Sequence, residues 1–333
     1  MNENHDFPLE NDDDWFEPDS MAHSHDRGYK YLFSHKELVQ ELIEGFAPAD
    51  LVTNLDFNSL KKENGSFITP AMKKRDSDVV WSAKLKHSEQ TIFLYLLLEF
   101  QSEVDLSMPV RILQYVAALY DDLNKQQRLS IKAGLPPVFP VVLYNGQQKW
   151  TAKHDMAELY KNLPEYLKPY QPQLRYYLID EERIPDEQID GVINGISTIF
   201  SFEKAHEYAQ ARHSTQKLLR YLESLGDDQR ALAMAVLKWV MVHLKKNYPT
   251  INITPVELII KEPSMLAQNV ENWKREIFAE GEQLGKLEGK LEGKLEQAIQ
   301  MIKEFNLSVE LVAERCQLSL KELKERLNQN DKA

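Results

Sequence analysis

The spacing of apolar residues changes from helical to strand-like within the first hundred residues. Apolar positions recur every three to five residues from Asp26 to Phe46, which predicts a helix ended by Pro48, with Ser34 as a candidate cap inside it. Three later segments, 51–57, 77–81 and 91–100, alternate or are continuously apolar, as strands do. Asn64-Gly65 predicts a hairpin turn, and 84–89 a polar turn. The run 91–100 has the pattern of a strand buried on both faces in the middle of a sheet.

Helices and strands alternate through the next part of the chain. The period becomes helical again over 109–123, and two further apolar segments, 138–144 and 174–179, predict strands. The segment from about Asp190 to Lys246 is mostly helical in pattern. This alternation predicts an α/β domain with a central sheet.

The C-terminal part carries a glycine at every fourth position, in GEQLGKLEGKLEGKLEQ. Glycine disfavours an isolated helix by about 1 kcal/mol per residue relative to alanine, yet the leucines keep a helical seam. A helix stabilised by packing on a partner copy explains this pattern, and a flexible tether is the alternative. Residues 295–328 predict three short helices, the second and third capped by Ser308 and Ser319. Their helix-turn-helix appearance favours a packing or oligomerisation unit over a DNA reader.

Three regions are therefore expected: a disordered acidic tail over residues 1–24, a folded domain over 25–260, and a helical tail over 261–333. The net charge is −12, which argues against a nucleic-acid partner, but residues 1–20 alone hold eight acidic and no basic residues. A basic cluster with Lys73, Lys74 and Arg75 remains available to a phosphate backbone or as a solvated face.

The sequence also limits the compartment and the kind of metal site. Cys316 is the only cysteine, which excludes an intramolecular disulfide and a cysteine-rich zinc site. No apolar run approaches the roughly 20 residues needed to span a bilayer, and the N-terminus is acidic, unlike a signal peptide. The chain is expected to be cytoplasmic, with no membrane contact.

Two acidic residues stand in apolar strand segments. Asp78 precedes Val79-Val80-Trp81, and Glu99 closes the run 91–100. A buried carboxylate is costly unless it is paired or binds a metal. Strand alternation directs Glu99 and Gln101 to the same face. A metal site is one explanation; a turn cap at Asp78 and a lysine pair at Glu99 is the other.

Longer segments carry a family resemblance. The stretches HDRGYKYLFSHKELVQELIEGF, LLLEFQSEVDLSMPVRILQYVAALYDDL and PVVLYNG resemble the recombination-promoting nuclease (Rpn), or YhgA-like transposase, family within the PD-(D/E)XK nuclease superfamily. The resemblance covers roughly Asp26 to the low 200s. It implies a restriction-endonuclease-like α/β core, with a central mixed β-sheet flanked by helices and a helical C-terminal region after it. It further implies a DNA endonuclease of low sequence specificity that requires Mg²⁺ or Mn²⁺, acting in recombination, mobile elements or defence.

The resemblance also implies roles for individual residues. Asp78 and Glu99 would be metal ligands, with the backbone carbonyl of Phe100 as a third. Gln101 takes the place of the superfamily's lysine and would orient the attacking water. A neutral amide cannot supply the positive charge of lysine or assist proton transfer as lysine does.

The helix over 109–123 adds candidate phosphate contacts. Arg111 and Tyr115 lie four residues apart and so share a face. An ordinary polar edge of an amphipathic helix is the alternative. Asp26 and Lys30 form a similar pair in the first helix, with no role beyond a local ion pair or an edge contact.

Two functions compete at this point. The first is an active metal-dependent DNA endonuclease. The second is a non-catalytic DNA-binding or assembly protein on a degenerate nuclease fold, which the missing lysine and the acidic balance favour. A homo-oligomer formed through the C-terminal helical region is expected in both.

Overall fold

The computed structural model describes residues 24–63, 79–87, 90–99, 104–132, 134–305 and 307–330. The chain divides into two compact units, one ending at Leu266 and one beginning at Ala267. Of Asp26 and Glu99 only the backbone is described. The acidic tail, the Asn64-Gly65 turn and the start of the 77–81 segment lie outside the described residues.

Three helices precede the sheet: α1 (Ser24–Leu32), α2 (Lys36–Phe46) and α3 (Ala49–Asn54). The single helix predicted over Asp26–Phe46 is wrong, because the chain turns at 33–35. The Ser34 hydroxyl donates to the Tyr31 carbonyl at 2.6 Å and does not cap α2, whose N-cap residue is His35. The Phe33 carbonyl accepts a hydrogen bond from the Trp81 indole at 3.0 Å, which ties this turn to the sheet.

A mixed five-stranded sheet forms the centre of the first unit. Its strands are β1 (Leu55–Lys62), β2 (Val79–Leu85), β3 (Thr91–Glu99), β4 (Val138–Tyr144) and β5 (Tyr177–Asp180), in spatial order β1-β2-β3-β4-β5. The pairs β1–β2 and β2–β3 are antiparallel, and β3–β4 and β4–β5 are parallel. The predicted mixed sheet and the central place of the 91–100 strand are confirmed.

Some strand limits differ from the prediction. The segment 51–57 begins as helix α3, where the Thr53 hydroxyl and the Asn54 amide donate to carbonyls four residues back and stabilise the turn. Lys84 and Leu85 belong to β2 rather than to a turn, because they pair with β1. The last strand begins only at Tyr177.

Helix α4 (Met108–Lys125) connects β3 to β4 and covers one face of the sheet. Its apolar side chains pack with odd-numbered residues of β3 in one core. That core contains Phe93, Tyr95, Leu97, Met108, Ile112, Tyr115, Leu119, Tyr144, Trp150 and Tyr176, among others. The helix predicted over 109–123 is confirmed, and its packing supports the parallel β3–β4 pair.

Five helices follow β5: α5 (Asp186–Asp190), α6 (Gly195–Glu203), α7 (Tyr208–Ser224), α8 (Arg230–Asn247) and α9 (Thr254–Lys261). Helix α6 is buried along nearly its whole length. None of the helices in the described part of the chain combines the length and apolarity that a membrane crossing needs.

The second unit contains α10 (Leu266–Phe305, which begins at the boundary), α11 (Val309–Cys316) and α12 (Leu320–Asn330). The first of the three predicted short helices is the end of the 40-residue α10. Ser308 caps α11 as predicted, its hydroxyl accepting from the Leu311 amide at 3.3 Å. The three helices share a small core of Ala298, Ile299, Val312, Ala313, Leu318 and Leu323.

Candidate active site

One edge of the sheet collects the carboxyl ends of the parallel strands. Glu99, Tyr144 and Asp180 are consecutive Cα partners across β3, β4 and β5. Strand β2 runs in the opposite direction and begins at this edge, with Val79 paired to Leu96. The start of β2 and the end of β3 are therefore neighbours. Ligand sites of open α/β sheets form at such carboxyl ends.

Most of the residues predicted to hold a metal or to contact DNA lie outside the described residues. These are Asp78, Phe100, Gln101, Lys73, Lys74 and Arg75. Glu99 is placed by its backbone as the last residue of β3. In the described ranges, no group of three or more His, Cys, Asp or Glu side chains could hold a metal ion.

Arg111 and Tyr115 occupy the N-terminal half of α4. The Arg111 guanidinium donates to the Asp105 carboxylate at 2.9 Å, and its side chain is 14% exposed. Burial opposes ionisation of Asp105, but hydrogen bonds from Ser107 and Arg111 outweigh it and lower the pKa of Asp105 below its ordinary value. Tyr115 is buried, with its ring centroid 5.5 Å from that of Tyr95. Phosphate binding by these two residues stays a prediction.

An ion pair connects Glu63, the residue after β1, to Arg128 in the loop after α4. Arg128 donates to both oxygens of the Glu63 carboxylate, at 2.7 and 2.9 Å, and the Ser82 hydroxyl donates to it at 2.6 Å. The Glu63 amide donates to the Val80 carbonyl at 2.9 Å. Val80 is two residues after Asp78, so this Glu63–Arg128 clamp anchors the beginning of β2. Burial opposes ionisation of Glu63, yet the bonds from Arg128 and Ser82 lower its pKa overall.

A buried acidic pair lies just beyond the ends of β4 and β5. The Tyr29 hydroxyl of α1 donates to the Glu181 carboxylate at 3.2 Å, and Glu203 contacts the same hydroxyl. Asn145, which follows β4, donates to Glu203 at 3.5 Å. Burial raises the pKa of Glu203 to about 7, and burial together with the charge of Glu203 raises that of Glu181 well above its ordinary value. The pair therefore retains a proton at neutral pH.

His243 of α8 completes this buried group. Its Nδ1 lies 3.9 Å from a Glu203 oxygen, and its ring stacks on Trp239 at 5.0 Å between centroids. Tyr29, Glu181, Glu203 and His243 thus join α1, α6, α8 and the segment after β5 at the carboxyl end of the sheet. Through Asn145 and Glu181, which directly follow β4 and β5, the group holds the ends of these two strands to the helices.

Comparison with known proteins assigns the chain to a family. The sequence profile of the family described as "Putative transposase, YhgA-like" matches residues 23–232. The chain belongs to this family. The match covers α1 through α7 and the first residues of α8, and it contains the strand ends at Glu99, Tyr144 and Asp180.

Three relatives of this chain carry names that describe them as nucleases or as an inactive nuclease-like protein. The chain is 26% identical over 172 residues to the recombination-promoting nuclease RpnD of Escherichia coli O157:H7, covering 50% of this chain and 61% of RpnD. It is 30% identical over 124 residues to the recombination-promoting nuclease RpnC of Escherichia coli K12, covering 37% and 39%. It is 24% identical over 172 residues to the inactive recombination-promoting nuclease-like protein RpnE of that strain, covering 50% and 53%. No solved structure matches the chain.

Two features of this YhgA-like chain, the Glu63–Arg128 pair and the buried Glu203, are absent from the predictions made from its sequence. Glu63 and Arg128 are 65 residues apart, and no local pattern pairs them. Glu203, however, closes the apolar helix GISTIFSFE as Glu99 closes its apolar strand. A charged residue at the end of an apolar run was the signal used for Glu99, and it points equally to Glu203.

The raised pKa of Glu203 predicts how stability depends on pH. The folded state favours the protonated acid, so its contribution is complete below the unfolded pKa near 4.5 and is lost as pH rises to about 7. The free energy of unfolding should therefore fall between pH 5 and pH 8 in the native chain. The fall should be smaller in Glu203→Gln, by on the order of 2–3 kcal/mol. Urea unfolding at several pH values measures this. The exposed Glu187→Gln should keep the native slope; an equal slope in Glu203→Gln would refute the assignment.

Proposed function

We propose that this protein is a metal-dependent nuclease that hydrolyses DNA phosphodiester bonds with low sequence specificity, in recombination or the activity of mobile elements. One observation carries the proposal. The β2–β3 register brings the start of β2 next to the end of β3, in a family with members named recombination-promoting nucleases. Asp78 directly precedes the first of these strands, and Glu99 ends the second.

Asp78, Glu99 and the carbonyl of Phe100 would hold Mg²⁺ or Mn²⁺. The donor set fits, because these cations prefer carboxylate and carbonyl oxygens. The pairing of Val79 with Leu96 also fits: one more ladder step would set Asp78 opposite Leu97, and Glu99 is the next residue of that face. Diagonal neighbours of this kind lie roughly 7–8 Å apart, within reach of carboxylates that share one ion. The ion, when bound, supplies charge neutralisation of the phosphate and a more acidic water.

The residues around this point would position the reacting groups. Gln101 belongs to the same alternating set as Glu99 and would orient the attacking water through its amide. Arg111 would contact the phosphate by exchanging its ion pair with Asp105 for charged hydrogen bonds to phosphate oxygens. Tyr115 would support that contact from the core, and Lys73, Lys74 and Arg75 would meet the DNA backbone. The Glu63–Arg128 clamp holds the start of β2, the strand that directly follows Asp78 in the sequence.

A second candidate is a non-catalytic DNA-binding or assembly protein on the same fold. It is favoured by the name of RpnE, an inactive relative, and by glutamine at position 101. The two candidates agree on the fold. They differ in whether a divalent ion produces cleavage.

A cation series on supercoiled plasmid separates them. Mg²⁺ and Mn²⁺ should produce nicked and linear DNA, whereas Ca²⁺ should support binding with little cleavage and EDTA should abolish cleavage. Gel electrophoresis over time gives the rates, and heat-inactivated protein is the control. DNA binding without cleavage in either Mg²⁺ or Mn²⁺ would establish the second candidate instead.

The helical second unit supports the proposal of self-association. An added Cβ at Gly289 or Gly293 would meet no atom within 4 Å, so this stretch of α10 can be approached closely. Phe278 and Leu291 of the same helix are 69% and 41% exposed. A second copy of this chain is the partner we propose for that surface.

A further inference from the structure

The connection between β4 and β5, residues 145–176, differs in composition from the rest of the chain. We call it the β4–β5 arm. It contains five Lys or Arg and three Asp or Glu, a surplus of two positive charges in a chain of net charge −12. It also contains Trp150 and four of the chain's 14 tyrosines, namely Tyr160, Tyr166, Tyr170 and Tyr176. Basic residues interleaved with aromatic rings are the combination that binds single-stranded nucleic acid.

The base of the arm packs beside the candidate active site. Trp150 lies edge-on to Tyr144, with ring centroids 4.8 Å apart, and Tyr144 is the Cα partner of Glu99. The Trp150 indole donates to the Tyr176 hydroxyl at 3.0 Å, and that hydroxyl donates to the Lys153 carbonyl at 2.8 Å. These bonds hold the aromatic base rigidly at the end of β4.

A cavity of about 560 Å³ opens over this base. Its lining includes Lys153, His154 and Arg175, one acidic residue, Glu158, and the aromatic rings of Trp150 and Tyr176. Lys153 pairs with Glu158 at 3.2 Å and Arg175 with Asp155 at 3.3 Å, and the two cations are 57% and 73% exposed. Ion pairs this exposed contribute little in water. A phosphate can therefore take over either cation at small cost.

The outer part of the arm presents two tyrosines to solvent. Tyr166 and Tyr170 lie on the 3₁₀ segment Glu165–Tyr170, with 74% and 80% of their surface exposed. Pro164 precedes this segment and Pro169 lies within it, which restricts the backbone that carries both rings. Exposed apolar surface held on a rigid segment is typical of a binding site.

We propose that the β4–β5 arm binds an unpaired DNA strand next to the candidate active site, with Tyr166 and Tyr170 stacking on bases and Lys153 and Arg175 contacting phosphates. The inference rests on the proposed function, which gives DNA as the substrate. It adds that the DNA bound by the arm is single-stranded. Stacking needs bases whose faces are free, which a paired duplex does not offer. The positive surplus favours a polyanion over an apolar protein surface.

Fluorescence anisotropy with a 5′-fluorescein dT20 oligonucleotide tests the proposal. The full chain is used in Ca²⁺ buffer, so that binding is measured without turnover. The double variant Tyr166→Ala/Tyr170→Ala should bind about tenfold or more weakly, because each stacked base contributes by roughly that factor. Tyr166→Phe/Tyr170→Phe should bind like the native chain, because the ring is retained. Tyr208→Ala, at a 53% exposed tyrosine of α7, is the matched control and should not change binding.

Cross-linking with 5-iododeoxyuridine in the oligonucleotide gives an independent position. The adduct should map to Tyr166 or Tyr170. Unchanged dT20 affinity in the alanine double variant, or adducts only outside the arm, would overturn the inference, as would an equal loss of affinity for Tyr208→Ala. Plasmid cleavage by the same preparations keeps the two ideas apart. If the protein cleaves plasmid but its binding does not depend on the two tyrosines, only the proposed DNA-binding role of the β4–β5 arm is refuted. If binding depends on the tyrosines but no cleavage occurs, the role of the arm is supported and the nuclease activity is refuted.

Discussion

Glu99→Gln and Asp78→Asn are each expected to reduce Mg²⁺-dependent cleavage of supercoiled plasmid by at least about a hundredfold. Each substitution keeps the size of the side chain and removes the negative charge that a divalent ion requires. If both carboxylates hold the same ion, the double variant should cleave about as fast as the slower of the two single variants. The effects of residues that act as a unit do not add. Initial rates of nicking at saturating Mg²⁺ measure the effect.

The exposed Glu187→Gln of α5 is the matched control for loss of one carboxylate and should cleave at the native rate. Thermal unfolding of all variants should show that the fold is retained, so that a loss of cleavage reports on the site and not on unfolding. Native cleavage rates in both Glu99→Gln and Asp78→Asn would exclude these residues as the catalytic pair.

Arg128→Met should destabilise the protein by about 2–3 kcal/mol at pH 7. It removes two hydrogen bonds from Glu63, whose carboxylate is only 4% exposed, and leaves that charge without its cation. This expected loss of stability is smaller than for a fully buried ion pair, because the Arg128 side chain is 39% exposed and water screens its charge. Urea unfolding followed by tryptophan fluorescence measures the change.

The dependence of stability on pH below about 5 gives a second test of the Glu63–Arg128 clamp. The pKa of Glu63 is lowered in the folded state, so its contribution is present above the unfolded pKa near 4.5 and is lost as pH falls. The difference between Arg128→Met and the native chain should therefore shrink near pH 4. Adding Glu63→Gln should restore most of the lost stability. Lys125→Met, which breaks an exposed pair with Asp121 on α4, should leave stability unchanged. A loss in Lys125→Met equal to that in Arg128→Met would contradict this explanation.

The strands that pattern predicts best are those buried on both faces. The limits of β4 agree with the predicted 138–144. Strand β3 begins at the predicted Thr91 and is described to Glu99, and the predicted last residue, Phe100, lies outside the described residues. The strand predicted over 51–57 is wrong for its first four residues, which belong to α3. Alternation over a few residues does not distinguish a strand from one turn of helix. There, side-chain bonds from Thr53 and Asn54 to the preceding turn favour the helix. At 33–35 a hydrophobic period continues across a turn, and only the Ser34 bond to Tyr31 reveals the break.

The candidate site divides in the same way. An acid at the end of an apolar strand is visible in the sequence, which is why Glu99 could be selected, and its place at the carboxyl edge of the sheet follows from the strand order. The partners of Glu63 and Glu181 could not be predicted, because Arg128 and Tyr29 reach them across 65 and 152 residues of chain. Such contacts depend on how the sheet and helices assemble, and a single sequence carries no pattern for them.

The central claim is that Asp78 and Glu99 share one divalent ion. Crystals grown with Mn²⁺ and measured at the manganese absorption edge test it most directly. If the two residues share an ion, we expect one anomalous peak at the carboxyl end of β3. An oxygen of Asp78, an oxygen of Glu99 and the Phe100 carbonyl should each lie within coordination distance of it, about 2.0–2.5 Å. A manganese peak that contacts neither carboxylate, or a native crystal in which Mn²⁺ binds only elsewhere, would contradict it.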